Sequence, residues 1–157
     1  MLDEINRLLQ NGEFEKAKQY ADKIESAVDK HNVLGIIFYQ EGKLDDALNH
    51  FKKALEFDPT HDDALFNYSK VLFEKQNYFE SWRYLTRIQE KDWQVFNILG
   101  DTQLKQDNPA MALYYYKKAA EFSNVPEMIE KHKVIKDKLK KDLNLAIFCL
   151  PGLDSFI

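Results

Sequence analysis

The side chains able to do chemistry are scattered along this chain. Four histidines, His31, His50, His61 and His132, are the first candidates for metal ligands or general bases, and no two stand three to five residues apart. None has a cysteine or an ordered set of carboxylates beside it, so the spacing of a zinc site is missing. The acids between Asp58 and Asp63 lack the order, the glycine and the closing glutamate of a calcium loop. No glycine-rich phosphate loop and no Gly-x-Ser-x-Gly elbow occurs. Cys149 lies inside an apolar run, where a thiol is normally inert. Carboxylate pairs are plentiful but fall on polar helix faces. The pattern offers no catalytic residue, no metal site and no cofactor, which leaves binding as the function to look for.

Composition narrows the class of partner. The 157 residues are enough for one domain with a real core. The formal net charge is −4, and Lys and Arg alternate with Asp and Glu over most of the length. Nucleic acid would need a basic face, which is not there. No apolar run approaches the length that crosses a bilayer. The opening MLDEINRLLQ carries acid early and lacks the apolar core of a signal peptide. One cysteine permits no internal disulfide and suits a reducing compartment. The expectation is a cytoplasmic chain with a protein or peptide partner, no nucleic acid and no membrane insertion.

The elements that would position a binding surface are helices. Five glycines and four prolines over the whole length leave little room for sheet. From His31 to Pro59 the chain reads as two amphipathic helices joined at Gly42, with small residues where the helices must touch. Asp29 is the expected N-cap and Gln40 the expected end of the first helix; Asp45 and Asp46 favour the start of the second, and Pro59 stops it. The pattern recurs. Ala17, Ala47, Ser81 and Ala112 occupy one slot at intervals of 30, 34 and 31 residues. The short intervals lose about one helical turn, which keeps each apolar face in phase. Leu34-Gly35 returns as Leu99-Gly100, while Ser69 takes the glycine slot of the third unit. Asn108-Pro109 reads as an N-cap followed by proline at the first helical position.

Leu34-Gly35, Phe38, Ala47, Phe51, Ala54 and Pro59 stand at the spacings of a tetratricopeptide repeat, and the chain resembles that family over its first 125 residues. His31 departs from the tryptophan usual there. The resemblance implies an all-α, right-handed superhelical array of antiparallel helix pairs, approximately 1–28, 29–61, 62–92 and 93–125, followed by a capping helix over 126–144. Stacking of neighbours would supply the core that one pair cannot build alone.

The resemblance also implies a concave groove lined by the first helix of each pair. It would present Asn6, Leu9, Asn32, Ile36, Tyr39, Phe66, Asn67, Lys70, Phe73, Gln94, Asn97, Asp101 and Leu104. Asparagines able to bond a peptide backbone, beside aromatics outside the packing slots, suit a captured partner segment. Ile36 and Tyr39 serve equally well as filling between neighbouring helices; Phe66 and Phe73 are assigned to the groove. Relatives that grip acidic chaperone C-termini use a clamp of lysine, asparagine and arginine. Here the cation places hold Leu2 and Asp63 in one frame, or Asn32, Gln94 and Ile98 in the other, so a carboxylate would be held poorly.

Beyond Pro126 the pattern changes. Met128, His132, Ile135, Leu139 and Leu143 form a narrow stripe with acid in front and Lys136, Lys138, Lys140 and Lys141 behind, as suits a single capping helix. Residues 145–150, LAIFCL, then Pro151-Gly152, fit a buried strand running into a turn. That opening resembles the start of a bacterial glycosyltransferase domain, so one alternative makes the chain the front part of a larger enzyme. The other is an apolar tail, 145–157, that packs on its own repeats or on a second copy. Phe148, Leu150, Leu153 and Phe156 are expected to be sheltered, in the groove of the array or against a neighbouring molecule.

Overall fold

The computed structural model describes residues 1–122 and 126–149, with side chains through residue 142. Every regular element among the described residues is a helix, and the helices fall into two compact units that meet in sequence at Glu90 and Lys91. The first unit holds α1 (Leu2–Gln10), α2 (Phe14–Ala21), α3 (Ala27–Gln40), α4 (Leu44–Phe57), α5 (Asp62–Glu74) and α6 (Tyr78–Leu85). Each odd-numbered helix packs on the one after it; α2 also packs on α3, α4 on α5, and α3 touches α5. The second unit holds α7 (Trp93–Lys105), α8 (Pro109–Phe122) and α9 (Pro126–Cys149), with α8 packed against both neighbours.

Local chemistry sets the helix starts. Helix α3 is capped by Ser26, whose Oγ accepts from the Asp29 backbone N–H at 3.3 Å. The start therefore lies three residues before the expected cap, and Asp29 takes a first-turn position where its charge suits the dipole. Asp92 caps α7 through the Val95 N–H at 2.9 Å, and Asn108 caps α8 through Met111 at 3.3 Å, with Pro109 first in the helix.

One turn geometry recurs four times. Gly12, Gly42, Gln76 and Asp107 all adopt left-handed backbone, with φ between 56° and 80°. After each, the next N–H reaches back five residues: Glu13 to Leu8, Lys43 to Phe38, Asn77 to Leu72 and Asn108 to Gln103, at 2.8–2.9 Å. These bonds close the helix ends and reverse the chain. A β-carbon at Gly12 or Gly42 would meet nothing within 4 Å, so the glycines serve the backbone alone. Gln76 and Asp107 carry that strain unrelieved. Gln76→Gly is expected to stabilise the protein by about 0.5–1 kcal/mol, once the glycine's extra freedom in the unfolded chain is subtracted, and Asp107→Gly by less. Urea unfolding reads both; a loss of stability in Gln76→Gly would contradict the turn assignment.

Inside each pair the close approach is governed by complementary size. A β-carbon at Gly35 would lie 2.5 Å from the Phe51 ring, and one at Gly100 would lie 2.5 Å from the Tyr116 ring. In α5 and α6 the same two slots hold Ser69 and Leu85, both fully buried. In α1 and α2 they hold Ile5 and Ala21, members of one buried cluster. Size moves from one helix to the other and the gap stays filled, as a close-packed interior requires. Helices α2 and α6 have 8 residues where α4 and α8 have 14, which is where the short repeat intervals lose their turn.

Helix α9 corrects the reading of the C-terminal segment. It continues through Cys149, so residues 145–149 are helical rather than the expected first strand. An unbroken apolar run has no period to distinguish the two forms, and the preceding helix extends into it at low cost. Residues 150–157, and the expected shelter of Phe148, Leu150, Leu153 and Phe156, lie outside what the structure describes.

Candidate functional site

In the first unit, α1, α3 and α5 share one face, and the expected groove residues can be followed along it. At its head is a pocket of about 420 Å³ lined by Leu2, Asn6, Leu9, Asp29, Asn32, Ile36 and Asp63 among others. Below it a smaller one of about 160 Å³ is lined by Ile36, Tyr39, Phe51, Asn67 and Lys70. Ile36 belongs to both. Asn32 is buried, 8% exposed, and its Oδ1 accepts from Asn67 Nδ2 at 3.0 Å, so α3 and α5 are tied by a neutral amide pair on the floor of the face. Tyr39 packs on the Ala47, Phe51 and Val71 core. Its ring carries Lys70 Nζ at 4.7 Å from the centroid, and its hydroxyl donates to Glu74. Burial and that carboxylate push the Tyr39 phenol up to about 12, so it remains a donor at any physiological pH.

The other expected positions are dispersed. Phe66 is half-buried on α5. Phe73, also half-buried, meets the Tyr78 ring edge-on at 5.3 Å across the α5–α6 turn. In the second unit Gln94 is exposed on α7. Asn97 and Asp101 are engaged by the chain itself: Lys131 Nζ of α9 donates to Asn97 Oδ1 at 2.9 Å and to Asp101 Oδ1 at 3.4 Å. The Tyr116 hydroxyl donates to the same Asp101 oxygen at 2.6 Å. Leu104 lies on the rim of a third pocket, of about 470 Å³.

A pair that spacing did not reveal is formed by His31 and His50, 19 residues apart in sequence. Packing of α3 on α4 brings their Nδ1 atoms to 3.1 Å, with His31 stacked on Phe57 at 5.8 Å and Phe38 stacked on His50 at 5.0 Å. Among the described residues no group of three or more His, Cys, Asp or Glu is placed to hold a metal ion. The two Nδ1 atoms lie at hydrogen-bond distance, so one ring must donate through Nδ1–H while the other accepts. Burial lowers the pKa of both; Lys53 and Lys30 add to it at His31, and the neighbouring His31 and Lys53 add to it at His50, with Glu56 and Asp46 opposing. A lowered folded-state value means stability that is complete above the ordinary value of 6.5 and is lost as pH falls below it. Thermal melts between pH 7.5 and 5 should show that loss, and His50→Gln, which can still donate to His31, should shrink it. An equal loss in the variant would assign the pH dependence elsewhere.

No described helix is long and apolar enough to cross a membrane. Residues 28–61 match one family model of the tetratricopeptide repeat, and residues 50–83 match a second. The type IV pilus assembly protein PilF of Pseudomonas aeruginosa is 31% identical over 120 residues, which cover 71% of this chain and 48% of that protein. The TPR repeat-containing protein MJ1428 of Methanocaldococcus jannaschii is 29% identical over 130 residues, 77% of this chain and 22% of that one. The chain thus spans less than half the length of these curated relatives. The solved structure of Pseudomonas PilF superimposes with a TM-score of 0.80 at 26% identity, covering 88% of this chain and 67% of that one. That of YrrB, described as a TPR protein with an unusual peptide-binding site, does so at 0.67 and 24%, covering 78% and 63%. The likeness to YrrB is one of fold. With the repeated turn, the small-residue slots and the paired helices, these matches identify the chain as a member of the tetratricopeptide repeat family.

Proposed function

We propose that the chain is a non-catalytic protein-interaction module that captures an extended segment of a partner protein along the shared face of α1, α3 and α5. The observation that carries this reading is the partly buried Asn32–Asn67 amide pair at the floor of a face with two pockets. With Asn32 Oδ1 taken by Asn67, the Asn32 NH₂ and the Asn67 carbonyl oxygen remain as a donor and an acceptor matched to a peptide backbone. Leu9 and Ile36 offer apolar contact on either side, which is how a groove combines backbone affinity with side-chain choice. Asn6 extends the polar line onto α1. In the second unit Asn97 and Asp101 are already held by Lys131, so the backbone contacts of the captured segment are assigned to the first unit.

The test is selection of linear peptides from a random displayed library against the folded chain, with affinities measured by calorimetry. Enriched peptides should lose at least tenfold in affinity on Asn67→Ala and severalfold on exposed Asn6→Ala, whose thermal melt should match the parent. Failure to enrich any linear peptide, or affinities indifferent to both variants, would count against the groove.

A further inference from the structure

The second unit repeats the helix order of α3, α4 and α5 with two side chains changed at the matching pocket. Gly35, Phe51 and Ala54 have their counterparts in Gly100, Tyr116 and Ala119 at one constant interval, which makes Leu104 the counterpart of Tyr39. Helix α9 stands where α5 stands: Lys131 donates to Asn97 as Asn67 donates to Asn32. By that register Val134 replaces Lys70. In the first unit the Tyr39 ring lies under Lys70, and the pocket left there is about 160 Å³. In the second unit leucine replaces tyrosine and valine replaces lysine, and the corresponding pocket is about 470 Å³. Leu104 and Val134 are both substantially exposed at its mouth. Part of the extra space falls, by that register, where the Tyr39 ring sits in the first unit; the rest reflects a looser approach of α9 to α7 than of α5 to α3.

We propose that this pocket, between α7 and α9, receives a phenylalanine or tyrosine side chain of a bound protein segment, with a lysine or arginine next to it in that segment. The ring would take the place that Tyr39 fills from within the chain. The basic neighbour follows from the charge of the lining: Asp101, Glu127 and Glu130 stand there against the single cation Lys131, which already lies 3.4 Å from Asp101 and 3.7 Å from Glu127. An arriving cation meets a net negative rim, and an acidic neighbour would be repelled. A ring buried against Leu104, Val134 and Ile135 supplies most of the contact, as aromatic anchors do. The inference rests on the reading that the chain binds partner segments, and adds a second point of contact to it.

The probes are three end-blocked pentapeptides with centres Lys-Phe-Lys, Lys-Ala-Lys and Glu-Phe-Glu, titrated into the full ¹⁵N-labelled chain. The first should shift the Leu104 and Val134 amides at millimolar concentration, and should bind at least tenfold more tightly than either of the others. Leu104→Tyr supplies the missing ring from within. It should raise the melting temperature and abolish the response to Lys-Phe-Lys. Three results would overturn the proposal: silent Leu104 and Val134 amides, binding that survives in Leu104→Tyr, or a lowered melting temperature in that variant. Shifts at Asn32 and Asn67 with Leu104 and Val134 silent would overturn this inference while leaving the first-unit groove standing. Shifts at Leu104 and Val134 alone would support the pocket and count against that groove.

Discussion

Phe51→Ala is expected to lower stability by about 3–5 kcal/mol, the range for deleting a fully buried aromatic ring. Phe51 is 1% exposed, and it fills the space that Gly35 leaves open on the facing helix. Gly35, the residue opposite, has no side chain to move into that void. The converse substitution tests the same geometry from the other side. Gly35→Ser places a side chain where the Phe51 ring already lies and should cost about 1–3 kcal/mol. Adding Phe51→Leu then recreates the Ser69–Leu85 combination that α5 and α6 carry, and should return the double variant to within about 1 kcal/mol of the parent. Phe51→Leu alone should be destabilising, so the recovery is a coupling between two touching residues rather than a general gain. Urea unfolding of the four proteins measures it. Simple additivity of the two single effects would mean that Gly35 and Phe51 do not limit each other.

That pairing also marks how far the fold was legible in the residues. Gly35, Ala47, Phe51 and Ala54 announce a helix pair because close approach demands small residues at fixed intervals, and the interval itself exposes the worn copies. The individual slots misled only where size had moved across the interface, as with Ile5 facing Ala21; read singly, α1 looks like an imperfect repeat. The left-handed turn was legible at Gly12 and Gly42, but Asp107 has no such signature and is recognisable only by register. Residues 145–149 could not be assigned from pattern because a wholly apolar run carries no period. The face proposed for binding was harder. Asn32, Ile36, Tyr39, Asn67 and Lys70 do come together, yet the order of contacts, Asn67 on Asn32 and Lys70 over Tyr39, exists only after two helices stack. The His31–His50 contact and the reach of Lys131 to Asn97 and Asp101 are long-range in the same sense. No local spacing encodes them.

Asp101→Ala is expected to cost about 2–3 kcal/mol and to loosen α9. Tyr116 is 1% exposed, and its hydroxyl has the Asp101 carboxylate as acceptor at 2.6 Å. Burial and that carboxylate push the phenol far above its ordinary value, so it stays protonated and must donate. A hydrogen bond to a charged acceptor contributes about 1.5–3 kcal/mol, and its loss leaves a buried hydroxyl without a partner. Tyr116→Phe removes the donor as well, so Phe at 116 added to Asp101→Ala should recover about 1 kcal/mol. The ion pair is the weaker part: Lys131 and Asp101 keep side-chain exposures of 32% and 30%, and such partly screened pairs are worth about 0–1 kcal/mol. Lys131→Met should therefore cost least, Tyr116→Phe more and Asp101→Ala most. Amide exchange should separate stability from docking, with α9 amides near Lys131 losing protection in Asp101→Ala while those of α3 and α5 keep theirs. If Lys131→Met proved the costliest of the three, the Lys131 contacts that join α9 to α7 would outweigh the Tyr116–Asp101 bond that joins α8 to α7.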